Sequence, residues 1–347
     1  MTDAGALVDV RNLVVRFQAA RGLEAIFSGK PPHITAVDDV SVSIQKGEIL
    51  GLIGESGSGK TTLGKTILRL VEPSEGSITV EGQDIAQLPE RRLRPFRRRI
   101  QTVFQDPLSS LNPRHRISQA LATPLRLHRI VPEDRIEERV SEILSQVGLS
   151  SEYRDRFPHE LSGGQLQRVA IGRALTLGPD LLIADEAVSK LDVSVRAQIL
   201  NLFKDIQAAT GMAILFIAHD LHVARYLCTR IGVMYFGKLV EIASTEELFT
   251  NPRHPYTRAL LSTVEEGGGR AGRATVAEEA FNPTKDDRKG CRFYKRCPIR
   301  ADRCAISHPE MEQISPGHSV ACYRWMEEEA LSLEQRKVTC ETSASQA

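Results

Sequence analysis

A chain of 347 residues is long enough for two domains. Its composition, 41% hydrophobic and 26% charged, is that of a soluble globular protein. The net charge of +1 excludes a bulk electrostatic argument for nucleic acid or an acidic membrane surface, and no apolar run approaches the length of a membrane span. The opening MTDAGALVDV has no basic segment followed by an apolar one, so no secretory signal is expected and the cytosol is the expected compartment.

Residues 7–17 read as a valine-rich strand region ending on Phe17, and residues 19–33, with Gly, Lys and two prolines, as an exposed insertion. Residues 37–44 alternate apolar and polar, the pattern of a half-buried strand. Lys46-Gly47 turns the chain into a short apolar strand over 48–53. Gly54-Glu55-Ser56-Gly57-Ser58-Gly59-Lys60-Thr61 follows and fits the phosphate-loop pattern G-x-x-x-x-G-K-[ST] at every fixed position. Behind it, Leu63, Ile67, Leu68 and Leu70 recur near helical spacing, so the strand, loop and helix that the pattern requires are all present. The glycines let the backbone wrap an anion, its N–H groups and the helix end point at phosphate, Lys60 can reach the β- and γ-phosphates, and Thr61 can ligate Mg²⁺.

Residues 77–80 read as a strand and 81–82 as a turn. Residues 89–99 carry Arg91, Arg92, Arg94, Arg97, Arg98 and Arg99. Such a run can bind phosphate backbones, but with few aromatics and almost no net charge a solvated helix face is the better reading. Residues 100–104 form a strand candidate ending at Gln105-Asp106-Pro107, and the pattern is then helical to Pro158, with Ile136, Val140, Ile143, Leu144 and Val147 on one face. Ser162 is a natural N-cap for the helix that starts at Gly163-Gly164-Gln165. Two apolar strands follow, 181–186 ending on Asp185 and Glu186, and 213–219 ending on His219. Strands alternating with helices imply a mostly parallel sheet covered on both faces, with ligand-binding groups at the strands' C-terminal ends. Residues 231–241 read as a final hairpin around Phe236-Gly237, residues 265–272 as a flexible linker, and residues 341–347 as a disordered end.

Asp185 stands where an ATPase holds Mg²⁺, and Glu186 could orient or deprotonate the attacking water. GESGSGKT at 54–61, VFQDP at 103–107, LSGGQ at 161–165, LLIADE at 181–186, SKLD at 189–192 and His219 in FIAHD occur in that order over about residues 7–250. Together they resemble the ATP-binding subunit of an ABC transporter. The resemblance implies an α/β fold: a P-loop NTPase core on a mostly parallel sheet, an N-terminal antiparallel β subdomain, a helical signature subdomain and a small Cys-rich C-terminal extension. It places the ATPase domain at 7–264 with its helical part at about 106–175, a linker at 265–287, the Cys-rich segment at 288–326 and a tail at 327–347. It implies that Gly54, Glu55, Ser56, Gly57, Ser58, Gly59, Lys60, Thr61 and Thr62 hold ATP with Mg²⁺. It makes Phe17 the residue stacking on adenine, Gln105 the coupling glutamine that touches Mg²⁺ or the water, and Asp185 a Mg²⁺ holder through water. Glu186 becomes the catalytic base and His219 the switch histidine on the γ-phosphate. Ser162, Gly163, Gly164 and Gln165 would clamp the γ-phosphate of a nucleotide on another subunit, so a dimer is expected. Lys190 departs from the small residue usual in the segment 189–192; the lysine is expected to point to solvent, the alternative being an extra cation at the dimer interface.

SSLNPR at 109–114, NPRHPYTRALL at 251–261 and a GCRF…RCP…C…HP…ACY tail resemble the ATPases of oligopeptide/dipeptide importers, features shared with nickel, glutathione and opine importers. The insertion after Phe17 resembles the second, F-type, of the two ATPases such importers use. The implied partners are a second ABC ATPase, two permeases and a periplasmic or extracellular substrate-binding protein, with no nucleic acid. The implied location is the cytoplasmic face of the bacterial inner membrane, reached through the permeases. A soluble non-transport ABC ATPase and a redox-sensing module are the competing readings.

Of six cysteines, Cys291, Cys297, Cys304 and Cys322 crowd together at gaps of five, six and seventeen residues. In a cytosolic protein, clustering favours a metal site over disulfides. Zinc sites usually show ligand pairs about two to four residues apart, and this set has none. Iron–sulfur clusters accept looser spacing, and the resemblance also implies one in some relatives. A [4Fe–4S] cluster is therefore the leading expectation, with zinc or uncoordinated, reversibly oxidised thiols as the alternatives. Lying beyond the cassette, the segment is expected to act structurally or in regulation, outside ATP chemistry.

Overall fold

The computed structural model describes residues 5–18, 33–265 and 289–326. The expected insertion at 19–33 lies outside these except for its last residue, as do the linker beyond Glu265 and the tail. Alternating valines set the first sheet. In β1 (Ala6–Gln18) Val8, Val10, Leu13 and Val15 are buried, and in β2 (His33–Gln45) Val37, Val40, Val42 and Ile44 meet them. The next strand, β3 (Ile49–Ile53), is buried at every position and leads through the phosphate loop into helix α1 (Lys60–Ile67). Strands β4 (Glu75–Val80) and β5 (Gln83–Asp84) complete a four-stranded antiparallel sheet in the order β2-β1-β4-β5. Its apolar side shares one core with Leu50 and Leu52 of β3 and Leu63 and Ile67 of α1.

Helix α2 (Glu90–Arg99) carries the arginine run, and β6 (Ile100–Val103) follows. Arg91, Arg92, Arg94 and Arg98 are exposed, as a solvated face should be. Arg99 instead pairs with Asp180 at 2.5 Å and Glu81 at 2.6 Å, and Arg97 with Glu90, so part of the run anchors the helix. Helices α3 (Ile117–Leu127), α4 (Ile136–Gln146) and α5 (Gly163–Leu175) form the helical subdomain and interlock through Leu121, Leu125, Val140, Ile143, Val169 and Ile171. Gly172 lets α5 approach α4 closely: a Cβ there would lie 3.1 Å from Ile143.

The second sheet gathers β7 (Leu181–Asp185), β8 (Ala213–Ala218), β9 (Arg230–Tyr235) and β10 (Lys238–Ser244), with α6 (Val193–Thr210) and α7 (Leu221–Leu227) between them. Strands β9, β3, β8, β7 and β6 run parallel, and β3, β7 and β8 are wholly buried, as strands covered on both faces are. After α8 (Thr245–Thr250) and α9 (Pro255–Glu265), the Cys-rich segment contributes α10 (Asp302–Ile306), β11 (Glu312–Ser315) and β12 (His318–Val320). The full order of this eight-stranded sheet is β11-β12-β10-β9-β3-β8-β7-β6. The Cys-rich segment is thus continuous with the cassette's own sheet, Val320 pairing with Glu241. Beneath that pair the fully buried Glu241 carboxylate accepts the Arg253 N–H at 2.7 Å and the His254 N–H at 2.9 Å, and meets His318 Nε2 at 2.8 Å.

Candidate functional site

The groups singled out in the sequence gather at the C-terminal ends of β3, β6, β7 and β8, where a parallel sheet presents its loops. The phosphate loop takes left-handed backbone angles at Gly57 (φ 78°) and Gly59 (φ 100°). Gly59 is needed twice over, because a Cβ there would also stand 2.3 Å from the Ala36 carbonyl oxygen of β2. Gly237, in the β9–β10 turn, braces the same loop by donating its N–H to the Ser58 carbonyl at 2.8 Å.

Lys60 is buried with its ammonium inside the loop, donating to the carbonyls of Gly54 (2.8 Å) and Glu55 (2.9 Å) and to Ser58 Oγ (3.1 Å). Burial lowers its pKa, while the carboxylates of Glu186, Asp185 and Glu55 pull the other way. Thr61 Oγ1 donates to Asp185 Oδ1 at 2.8 Å, joining the start of α1 to the end of β7. Burial raises the Asp185 pKa against that hydrogen bond, and Glu186 adds to the rise. A hydroxyl and a carboxylate side by side are the hard oxygen donors Mg²⁺ takes, and buried Lys60 in a glycine cradle suits phosphate; the residues fit Mg-ATP.

Glu186 leaves β7 at φ 49°, a left-handed angle that costs a non-glycine residue and is found at functional turns. Its N–H donates to the Ile217 carbonyl at 3.0 Å. Gln105 Nε2, from the segment after β6, donates to Glu186 Oε2 at 2.7 Å, and His219 Nδ1 stands 3.7 Å from the same oxygen. Three residues read separately in the sequence therefore meet around one carboxylate. Ser162 caps α5 as expected, in a capping box with Gln165: its N–H donates to Gln165 Oε1 at 2.9 Å and its Oγ accepts the Gln165 N–H at 3.4 Å. Ser162 and Gly163 are exposed, and Gly164 is required by packing, since a Cβ would lie 2.5 Å from Val195 of α6. Phe17 is 41% exposed at the end of β1, paired with Ile34, two residues before the Ala36 carbonyl that touches Gly59. Lys190 is exposed in the single chain.

A family profile described as ABC transporter matches residues 37–189. The oligopeptide transport ATP-binding protein AppF of Bacillus subtilis is 44% identical over 322 residues, covering 91% of this chain and 97% of that protein. The chain belongs to the ABC transporter ATP-binding family. A Brucella ovis relative named as a peptide import ATP-binding protein is 44% identical over 308 residues, covering 88% of this chain and 97% of its own length. A second profile, oligopeptide/dipeptide transporter, C-terminal region, matches residues 240–304. Among solved structures, the dimeric ATP-binding cassette MJ0796 bound to ADP and Pi aligns with a TM-score of 0.61 at 28% identity, over 69% of this chain and 98% of that one. CbiO1 from Clostridium perfringens, part of the ABC transporter complex cbiONQ, aligns with a TM-score of 0.61 at 25% identity, over 78% and 97%. As a member of this family the chain is an ATPase whose hydrolysis is coupled to transport.

The cassette holds its phosphate loop with residues that motif reading passed over. The Glu55 N–H donates to the Tyr256 hydroxyl at 3.0 Å, and the Glu55 carboxylate pairs with Arg296 of the Cys-rich segment at 3.2 Å. The segment expected to act structurally or in regulation thus reaches the phosphate loop through Arg296. Tyr256 sits in NPRHPYTRALL, read only as a family mark, and Arg296 lies 241 residues from Glu55, a distance at which no spacing rule operates. Cys291, Cys297, Cys304 and Cys322 line one pocket with His254 and Phe293. Burial pushes the Cys291 thiol up to about 12. Among the described residues, no group of three or more His, Cys, Asp or Glu side chains is placed as a ready ligand set. The pocket thus gathers the four thiols without closing them on a common centre. On the helical side, Arg91, Arg94, Arg98 and Arg173 line a broad cleft with Leu111 and Leu127, between α2, α3 and α5.

Proposed function

We propose that this chain is the ATP-hydrolysing subunit that energises the import of di- or oligopeptides through an ABC importer. The observation that carries the reading is the convergence of Gln105 and His219 on Glu186, beside the Lys60–Thr61–Asp185 phosphate and Mg²⁺ set, in a chain 44% identical to AppF over 97% of that protein's length. Lys60 exchanges the loop carbonyls for β- and γ-phosphate oxygens, while Thr61 and Asp185 would hold Mg²⁺, whose charge would offset that of the phosphates. Glu186 accepts a proton from the attacking water, Gln105 keeps the carboxylate aimed, and His219 faces the γ-phosphate side. Phe17 stacks on adenine.

The hydrogen bonds of Ser162 stay within its own helix cap, so its free face suits a nucleotide held by another ATPase subunit. We assign that subunit as a second, different ABC ATPase, with two permeases and a substrate-binding protein completing the importer. Among the described residues no helix is long and apolar enough to cross a membrane, which fits a peripheral subunit held on the cytoplasmic face of the inner membrane by its permeases. The arginine-lined cleft offers those permeases an anion-favouring surface. We assign Cys291, Cys297, Cys304 and Cys322 as the ligands of a [4Fe–4S] cluster: all four line one pocket, and the sulfurs would have to close on a common centre to hold it. Bound there, the cluster would contribute folding energy to the segment.

The test is uptake of a labelled peptide by vesicles carrying the assembled importer. Glu186→Gln should leave ATP binding intact and lower single-turnover hydrolysis at this site by about 10²–10⁴-fold, the usual worth of a general base. Lys60→Ala should weaken ATP binding itself. Hydrolysis by the Glu186→Gln importer at the wild-type rate would remove Glu186 from the base role. Uptake of another solute in place of peptides would remove the substrate assignment.

A further inference from the structure

The Cys-rich segment touches the phosphate loop through Arg296. Its Nη1 and Nη2 donate to Glu55 Oε2 and Oε1 at 3.2 Å each, a two-pronged contact on the second residue of the loop. Nη1 also donates to the Tyr235 hydroxyl at 3.2 Å. The Arg296 side chain is 10% exposed and that of Glu55 40%, so the pair is partly shielded from solvent. Because the Glu55 N–H is spent on Tyr256, both polar ends of Glu55 are fixed by groups outside the loop.

The opposite side of Arg296 leads to the thiol pocket. Arg296 closes a single turn of 3₁₀ helix, Tyr294–Arg296, with Cys297 next in the chain. The Tyr294 N–H donates to the Cys291 carbonyl at 3.0 Å and the Cys297 N–H to the Tyr294 carbonyl at 3.3 Å. Cys291 and Cys297 thus flank the turn, and both line the pocket. Phe293, also in its wall, packs edge-on against Tyr235 at 5.3 Å and at a tilt against Tyr256 at 5.6 Å. A displacement of either cysteine would therefore be carried into the turn that holds Arg296.

We propose that Arg296 is a positioning residue for the phosphate loop and ties its nucleotide affinity to the state of the four-cysteine pocket. The inference rests on reading that loop as the ATP site. Lys60 donates to the Glu55 carbonyl, so a displaced Glu55 withdraws one of the groups that hold Lys60 in place. The contact acts on binding of the phosphates and leaves the Gln105–Glu186–His219 group alone, which separates it from catalysis proper.

The test titrates the full-length chain with a fluorescent ATP analogue and Mg²⁺, and measures ATP hydrolysis by the assembled importer. Arg296→Gln should weaken binding about fivefold, the upper range for a partly exposed ion pair, and raise the KM for ATP by the same factor while kcat stays within about twofold. Glu55→Gln should do the same, and the double variant should lose no more than either alone. Arg296→Lys, which keeps the charge and loses the fork, should fall between and serves where Arg296→Gln does not fold. Cys297→Ser should shift nucleotide affinity in the wild-type background and not in the Arg296→Gln background. Unchanged affinity in Arg296→Gln, additive losses in the double variant, or a Cys297→Ser effect that is nil or equal in both backgrounds would overturn the proposal. Failure of the wild-type chain to bind the analogue would instead strike the nucleotide-site reading.

Discussion

Glu241 offers a sharp test of how the Cys-rich segment is held. Its carboxylate is fully buried and accepts from two successive backbone N–H groups, Arg253 and His254, while also meeting His318 Nε2. Glu241→Gln keeps the volume but turns one acceptor into a donor, so at least one of these N–H groups faces another donor. A buried donor left unmatched costs about 1–3 kcal/mol, and removing the acceptor altogether in Glu241→Ala should cost about 3–5 kcal/mol. At about 2–4 °C per kcal/mol for a domain of this size, Glu241→Gln should lower the thermal midpoint by roughly 2–12 °C. The loss should be local before it is global, because β12 meets the cassette sheet at Glu241 and Ile242. Limited proteolysis at 30 °C should therefore cut within residues 289–326 of the variant while residues 33–250 stay intact. A midpoint unchanged from wild type, with no new cleavage, would show that the buried carboxylate does not staple the segment and would refute the reasoning.

Two further outcomes are expected. Gly59→Ala must fit a methyl group 2.3 Å from the Ala36 carbonyl at φ 100°, so it should abolish measurable Mg-ATP binding while the far-UV spectrum stays folded; binding within about threefold of wild type would contradict it. Burial lowers the His254 pKa to about 4, Glu241 opposing, and burial lowers that of His308 to about 3. Both rings are neutral in the fold and take up protons more readily when unfolded, so stability is full above pH about 6.5 and is lost as pH falls toward 4, His254 alone contributing at most about 3 kcal/mol. Urea midpoints at pH 7.5 and 5.0 check the sign, and His254→Asn should flatten the difference.

What the sequence made legible was local. Lys60, Thr61, Asp185 and His219 each end or follow a short apolar run, and a run of that kind in alternation with helices places its last residue at the ligand edge of a parallel sheet. Ser162 was legible as a cap from its residue type, and the structure adds the reciprocal bond from Gln165 three residues on. Glu241 shows the limit. Hydropathy places a carboxylate on the wet side of a strand, yet here it is buried, because its partners arrive from 12, 13 and 77 residues further along. Arg97 and Arg99 belong by sequence to the solvated run, although Asp180, the partner of Arg99, lies 81 residues away. Proximity of that kind is a property of the assembled sheet and leaves no periodicity behind it.

The same contrast explains why changes around one loop should differ so much in size. The loop backbone is tied at three separate points: Gly237 on Ser58, Tyr256 on the Glu55 amide, and Arg296 on the Glu55 carboxylate. Each tie is a single hydrogen bond or ion pair worth about 1 kcal/mol, so losing one loosens the loop and leaves the other two in place. A methyl group at Gly59 acts differently, since it collides with backbone that cannot swing aside and demands an angle a side chain resists. Lys60 makes the distinction functional. In the role proposed for it, its three loop contacts are traded for phosphate oxygens when nucleotide enters, a trade that depends on the carbonyls it leaves staying where they were. Ties such as Arg296 therefore set how tightly nucleotide is held, whereas the glycines set whether the cradle exists at all.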